Sequence, residues 1–226
     1  MKKLWISLLC AGSLLSLTAC QSQPSTPENT SQNETTSTPE TSQIQNNGKI
    51  LIAYFTMPET DGTDMSSSAS RVINNDELMG ATEYVARVIQ DNTGGDLFQI
   101  ETEQTYPGTH DPLVDQAADE QDENARPALK TTIDNLDDYD VIFLGYPNWW
   151  GDMPMPLYTF LEAYDFSDKT IIPFNTHGGS RFSSTISTIE ELQPNATVIE
   201  DGLTISRNDV ADAESEIVDW VENLGL

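Results

Sequence analysis

The sequence predicts a doubly wound α/β domain, a three-layer sandwich in which helices cover both faces of a five-stranded parallel sheet. Two patterns carry that expectation. Short runs that are apolar at nearly every position alternate with longer segments whose apolar residues recur at helical spacing, which is how strands buried on both faces and their crossover helices read. One run, Val141 to Leu144, is followed by a loop, Gly145 to Gly151, that carries two of the four tryptophans side by side. A loop beyond the carboxyl end of a central strand is where open α/β sheets bind ligands.

The chain opens on Lys2 and Lys3, an apolar run from Leu4 to Leu17 and the small residues before Cys20, the pattern of an export signal over residues 1–19. Leu17-Thr18-Ala19-Cys20 resembles the bacterial lipobox, which implies cleavage before Cys20 and a lipid on its sulfur. Residues 20–48 follow as a tether of Ser, Thr, Gln, Asn, Pro and Glu, with Ile44 as its one aliphatic residue. Such a segment cannot bury a core and is expected to be disordered, with an end-to-end reach of roughly 30 Å. Both cysteines, Cys10 and Cys20, fall before the globular part. That part therefore lacks thiolate nucleophiles, disulfides, thiolate zinc sites and iron–sulfur ligands.

The domain spans 49–226. Ile50 to Phe55 reads as the first strand. Met57 to Met79 breaks the periodicity and reads as an insertion with a short hairpin around Arg71 to Asn75. Ala81, Val85, Val88 and Ile89 mark a helix ended by Gly94-Gly95, and Asp96 to Ile100 a second strand. A weakly amphipathic helix follows from about Leu113, with Ala117 and Ala118 inward and Asp119, Glu120, Asp122 and Glu123 outward; Ala128 to Leu136 is expected to add a turn or two. Val141 to Tyr146 is the third strand, and Leu157, Phe160, Leu161 and Tyr164 the next helix. Thr170 to Asn175 is the fourth strand despite Pro173, which cannot donate to a ladder. Phe182, Ile186 and Ile189 form a helix face ending near Pro194, Ala196 to Ile199 begins the fifth strand, and Val210 to Leu224 closes the chain as a helix capped by Gly225.

The stretch Tyr146-Pro147-Asn148-Trp149-Trp150-Gly151 and the later Thr176-His177-Gly178-Gly179-Ser180 resemble the corresponding loops of the flavodoxin family, and the resemblance extends over 49–226. It implies the strand order 2-1-3-4-5 and FMN as cofactor. Pro147, Asn148, Trp149, Trp150 and Gly151 would form one wall of the flavin ring, and Thr176, His177, Gly178, Gly179 and Ser180 the other. Arg181 stands where a further glycine is expected; a cation there would favour negative charge on the reduced ring, which the many acidic residues would oppose. The family's phosphate turn is represented by Thr56 and Met57 before the insertion and by Gly80, Ala81 and Thr82 after it, with Ala81 in place of the usual asparagine. Thr82 also reads simply as a helix N-cap, and the tryptophan pair as ordinary core.

Other chemistries fit less well. A serine hydrolase built on Ser180 would need a histidine after its nucleophile, and none follows His177. His110 reads as a polar loop residue. The aspartates around Asp134 to Asp140, and Asp61 with Asp64, lack a calcium loop's central glycine, so no metal site is expected. No Gly-x-Gly-x-x-Gly dinucleotide fingerprint occurs. With 37 acidic and 10 basic residues the formal net charge is −27, and −29 once Lys2 and Lys3 leave with the signal. That repels nucleic acid and anionic lipid, and it reads equally as a draw for a partner with a basic docking face or as plain solubility outside the cell. The functional expectation is an electron-transfer lipoprotein at the outer side of a bacterial membrane, held there only by its N-terminal lipid and passing electrons to a redox protein or a small acceptor. A nicotinamide-dependent quinone-type reductase of the same fold, or a binding module that has lost FMN, are the alternatives.

Overall fold

The computed structural model describes residues 48–58 and 71–226. The signal, Cys20, all but the last residue of the tether, and the middle of the insertion lie outside the described residues. Among the described residues no helix is long and apolar enough to cross a membrane.

The sheet is built outward from β5 (Tyr139–Pro147), which pairs in parallel with β1 (Lys49–Tyr54) on one side and β6 (Thr170–His177) on the other. β4 (Asp96–Gln99) adds to β1. Two short strands, β7 (Thr197–Val198) and β8 (Leu203–Ser206), share the far edge of β6, also in parallel. With the hairpin β2 (Arg71–Asn74) and β3 (Glu77–Gly80) set aside as a separate antiparallel pair, the units run 2-1-3-4-5 across the sheet, as expected. Asn75 and Asp76, both with φ above zero, close that hairpin in the geometry of a type I′ turn.

Alternation along the strands sorts the core into two layers. Ile52, Val141, Phe143 and Ile172 face α1 (Ala81–Thr93) and α5 (Glu214–Leu224). Leu51, Ala53, Ile142, Leu144 and Ile171 face α2 (His110–Asp122), α3 (Met155–Ala163) and α4 (Thr185–Leu192). Each fully buried large apolar side chain contributes roughly 1.5–3 kcal/mol. Gly145 is required within β5, because the Phe174 ring lies 2.1 Å from where its Cβ would be.

The fifth strand differs from the expectation: only Thr197–Val198 of the Ala196 to Ile199 run is strand, and the position is completed by Leu203–Ser206. Pro173 supplies the reason. Ile199 N–H donates to the Ile171 carbonyl and Arg207 N–H to that of His177, so alternate residues of β6 turn their backbone groups to this edge. Pro173 shares their parity and has no proton to offer. The neighbouring chain leaves the ladder in front of it, and Gly202 passes so close that a Cβ there would sit 2.3 Å from the Pro173 oxygen.

Three further boundaries shift. His110 is not a loop residue but opens α2. Ala128 to Leu136 does not add a helix beyond a single 3₁₀ turn at Leu136–Asp138. Instead the segment runs extended beside the end of β4, where Thr131 Oγ1 accepts from Glu101 N–H and donates to the Gln99 carbonyl. Val210 lies in a separate 3₁₀ turn, Val210–Asp212, before α5, whose cap is Gly225 at φ 68°. Gly202→Ala is expected to lower stability by roughly 1–3 kcal/mol in urea denaturation, because the new methyl has a backbone oxygen in its way; an unchanged midpoint would refute this account of the split strand.

Candidate cofactor site

The loops after β1, β5 and β6 leave the sheet side by side at its carboxyl end. After β1 the chain reaches Thr56, and after the insertion β3 brings Gly80 back against it. Thr56 is 3 % exposed, and its Oγ1 is buried with no hydrogen-bond partner. That oxygen lies 1.8 Å from where a Cβ on Gly80 would stand, so only glycine fits there. Gly80 is the N-cap of α1, which makes Ala81 and Thr82 the first two helical residues rather than Thr82 the cap. Thr82 instead shares a buried hydroxyl–hydroxyl bond of 3.1 Å with Thr176 at the end of β6. The two segments expected to form the phosphate turn are thus adjacent in space, and the second is bonded to the end of β6. Met57 is half-buried and lines, with Thr56, Phe55, Tyr106 and Lys130, a cavity of about 190 Å³.

In the second loop Trp149 and Asp152 exchange both backbone hydrogen bonds, at 2.8 and 3.0 Å. Trp150 (φ 53°) and Gly151 (φ 80°) sit between them, the geometry of a type I′ turn. A bulky residue in the left-handed region is uncommon; Trp150 is held there with its indole N–H on the Val114 carbonyl at 3.1 Å. The two tryptophans have different surroundings. Trp149 is half-buried and packs edge-on against the core residues Phe55 and Tyr106, with centroids 5.5 and 5.8 Å away. Trp150 is 60 % exposed. Pro147 ends β5 in register with Thr176, and the next residue, Asn148, continues the ladder by donating its N–H to the Thr176 carbonyl. The buried Asn148 amide then ties the loops together, donating to the Arg181 carbonyl at 2.9 Å and accepting from Gly151 N–H at 3.1 Å.

In the third loop His177 is buried, and its Nδ1 accepts from Gly179 N–H at 2.9 Å. Gly179 has φ 134°, and Gly178 presents its bare Cα side to the Arg207 guanidinium. Ser180 is exposed, and its carbonyl receives Ser183 N–H. Arg181, at φ 51°, uses its carbonyl to collect the amides of Asn148 and Asn175. Burial first, then the nearby Arg181 charge, lowers the His177 pKa below the ordinary 6.5, with Asp209 opposing.

Behind Trp149 lies a group that the sequence did not reveal. Glu120, expected outward on α2, is only 8 % exposed. It accepts from Tyr106 Oη at 2.7 Å, Gln104 Nε2 at 2.6 Å and Gln116 Nε2 at 2.9 Å. Those donors are what let a carboxylate leave water. Burial, followed by the bond to Glu120, pushes the Tyr106 phenol well above its usual range, so Tyr106 remains a donor. No spacing pattern joins residues 106 and 120, and only the fold shows them together.

The flavodoxin family model matches residues 71–224, and the chain belongs to the flavodoxin family, whose cofactor is FMN. Among solved structures it is similar to a candidate flavoprotein of Bacteroides eggerthii, with 26 % identity over 80 % of this chain and 99 % of that one and a TM-score of 0.58. A second candidate flavoprotein, from Bacteroides uniformis, is also 26 % identical, over 77 % of this chain and 98 % of its own, with a TM-score of 0.60. A Lactobacillus acidophilus flavoprotein crystallised with FMN is 22 % identical over 74 % of this chain and 99 % of its own, with a TM-score of 0.49. No curated protein matches the chain.

The lowered His177 pKa sets a pH dependence. As pH falls below about 6.5 the unfolded chain takes up the proton before the folded one does, so stability falls with pH and levels off below the folded-state value. Denaturation of the wild type and of His177→Gln is expected to show this loss between about pH 7 and pH 5 in the wild type alone. Parallel pH profiles would rule out the assignment.

Proposed function

We propose that this chain is an FMN-binding electron-transfer protein, tethered by a lipid on Cys20 to the outer side of a bacterial membrane. The observation that carries the FMN reading is the buried, unpartnered Thr56 hydroxyl set against Gly80 at the N-terminus of α1. A buried polar atom without a partner costs about 1–3 kcal/mol, and a phosphate held by the first amides of the helix would give it one. The Thr82–Thr176 bond then fixes that end of the site relative to the loop of His177, Gly178 and Gly179. Bound FMN supplies the redox chemistry, moving electrons singly or in pairs.

The protein's own residues position and shield. The exposed Trp150 offers a flat face, held in a single backbone conformation by its turn and by Val114. Trp149, wedged between Phe55 and Tyr106, keeps the loop from collapsing. Gly178 and Gly179 let backbone amides approach the pyrimidine edge of the ring. Family membership and this arrangement support FMN; the lipobox pattern supports the location; the acidic surface supports a basic protein partner whose docking weakens with salt. A reductase taking electrons directly from NADH or NADPH is the second reading, and steady turnover without a partner protein would favour it.

A soluble form beginning at Gln21 is expected to keep a flavin absorption spectrum after FMN is added and excess removed, and Trp150→Ala to raise the Kd roughly tenfold through lost stacking. A wild type that retains no flavin would leave a flavodoxin-fold binding module as the better reading. In the intact chain, Cys20→Ser is expected to move the protein from the membrane fraction to the soluble one, and membrane retention by that variant would remove the lipid anchor from the account.

A further inference from the structure

The first turn of α1 carries a carboxylate beside the place where a phosphate would bind. Gly80 donates its N–H to Glu83 Oε2 at 3.4 Å, the acidic half of a capping box. The other half is missing, because Gly80 has no side chain and the first helical amides receive no side-chain cap. Those amides and the orphaned Thr56 Oγ1 are the two independent features that mark an anion site here. Glu83 is held in place by Arg87, whose Nε and Nη2 reach Glu83 Oε1 at 3.0 and 2.7 Å. The Glu83 side chain is 16 % exposed and that of Arg87 47 %, so the carboxylate is shielded from water more than the cation that balances it.

Taking the FMN reading above as its basis, we infer that Glu83 is a specificity-determining residue, and that the Glu83–Arg87 pair sets how strongly the site prefers a phosphorylated flavin to an unphosphorylated one. The helix terminus and the Thr56 hydroxyl attract the phosphate, and the fixed carboxylate within the same turn repels it. Water screens that repulsion poorly at a shielded group, while Arg87 offsets it in part. The uncharged ring of riboflavin meets the same tryptophan and glycine loops and carries no charge to the helix terminus. The ratio of FMN to riboflavin affinity therefore reads the Glu83 charge directly.

Glu83→Gln removes that charge and keeps the cap, since glutamine serves equally in a capping box. The expected result, from quenching of flavin fluorescence at low ionic strength, is an FMN Kd lowered by about tenfold, with riboflavin changed by less than about twofold. Arg87→Gln, which leaves Glu83 unbalanced, is expected to weaken FMN and again spare riboflavin, and it serves as the second test should Glu83→Gln fail to fold. Both effects should shrink as salt is raised. Equal FMN-to-riboflavin ratios in wild type and both variants would overturn the inference while leaving the flavin site intact. A wild type that binds neither flavin would overturn the inference and the FMN reading together. A purely structural role for Glu83 predicts a change in unfolding midpoint with no change in that ratio.

Discussion

Everything at the carboxyl end of this sheet depends on β5 being hydrogen-bonded along both edges and buried on both faces. A strand so placed has no freedom of register, because a one-residue slip would exchange its two core faces. Its last residue, Pro147, is aligned with Thr176, and the Asn148 N–H extends the ladder one step beyond it. The tryptophan loop and the histidine–glycine loop therefore leave the sheet from fixed and adjacent points. Asn148 and Asn175 then donate their side-chain amides to the same carbonyl, that of Arg181, so two buried asparagines hold the loops to one backbone group.

The buried polar groups follow the same logic. The chain carries a net charge of −27, and among the described residues Glu120 is the one buried carboxylate, with three donors around it. Lys169 is likewise buried and donates to the Tyr139 carbonyl at the start of β5. Neither arrangement is a surface ion pair of the kind that contributes little. Each fixes one end of something larger: Glu120 orients Tyr106, which with Phe55 brackets Trp149, and Lys169 secures the entry to the central strand.

The strands were legible because burial on both faces leaves an apolar signature that needs no knowledge of partners, and the helices because their spacing is periodic. The split of the fifth strand was not, although its cause stands in the sequence as Pro173. The proline was visible, but which edge of β6 it faced, and that Gly202 would pass there, depended on pairing. Glu120 read as outward because helical periodicity reports the chance of burial and not the presence of donors, and its donors come from residues 104, 106 and 116. The adjacent tryptophans were also indistinguishable in sequence. A type I′ turn places them differently, one half-buried against the aromatic core and one exposed, and turn geometry is not encoded in hydrophobic pattern.

The insertion after Met57 interrupts the expected phosphate turn in sequence, yet Thr56 and Gly80 still lie against each other. β2 and β3 pair antiparallel, and Val72 and Met79 anchor the hairpin in the core of α1 and α5, so β3 delivers Gly80 to a fixed place beside Thr56. What the proposed anion site needs is local: an oxygen from Thr56, a residue without a side chain opposite it, and the first amides of a helix that starts there. Gly80 meets the second requirement because any Cβ would collide with Thr56, and it supplies the third by ending β3 and beginning α1 with no turn between. The anchored hairpin thus places Gly80, β1 places Thr56, and the Thr82–Thr176 bond ties the start of α1 to the end of β6. Residues that far apart in the chain can lie together as one turn when separate rigid elements, here β1 and the hairpin, each fix one half.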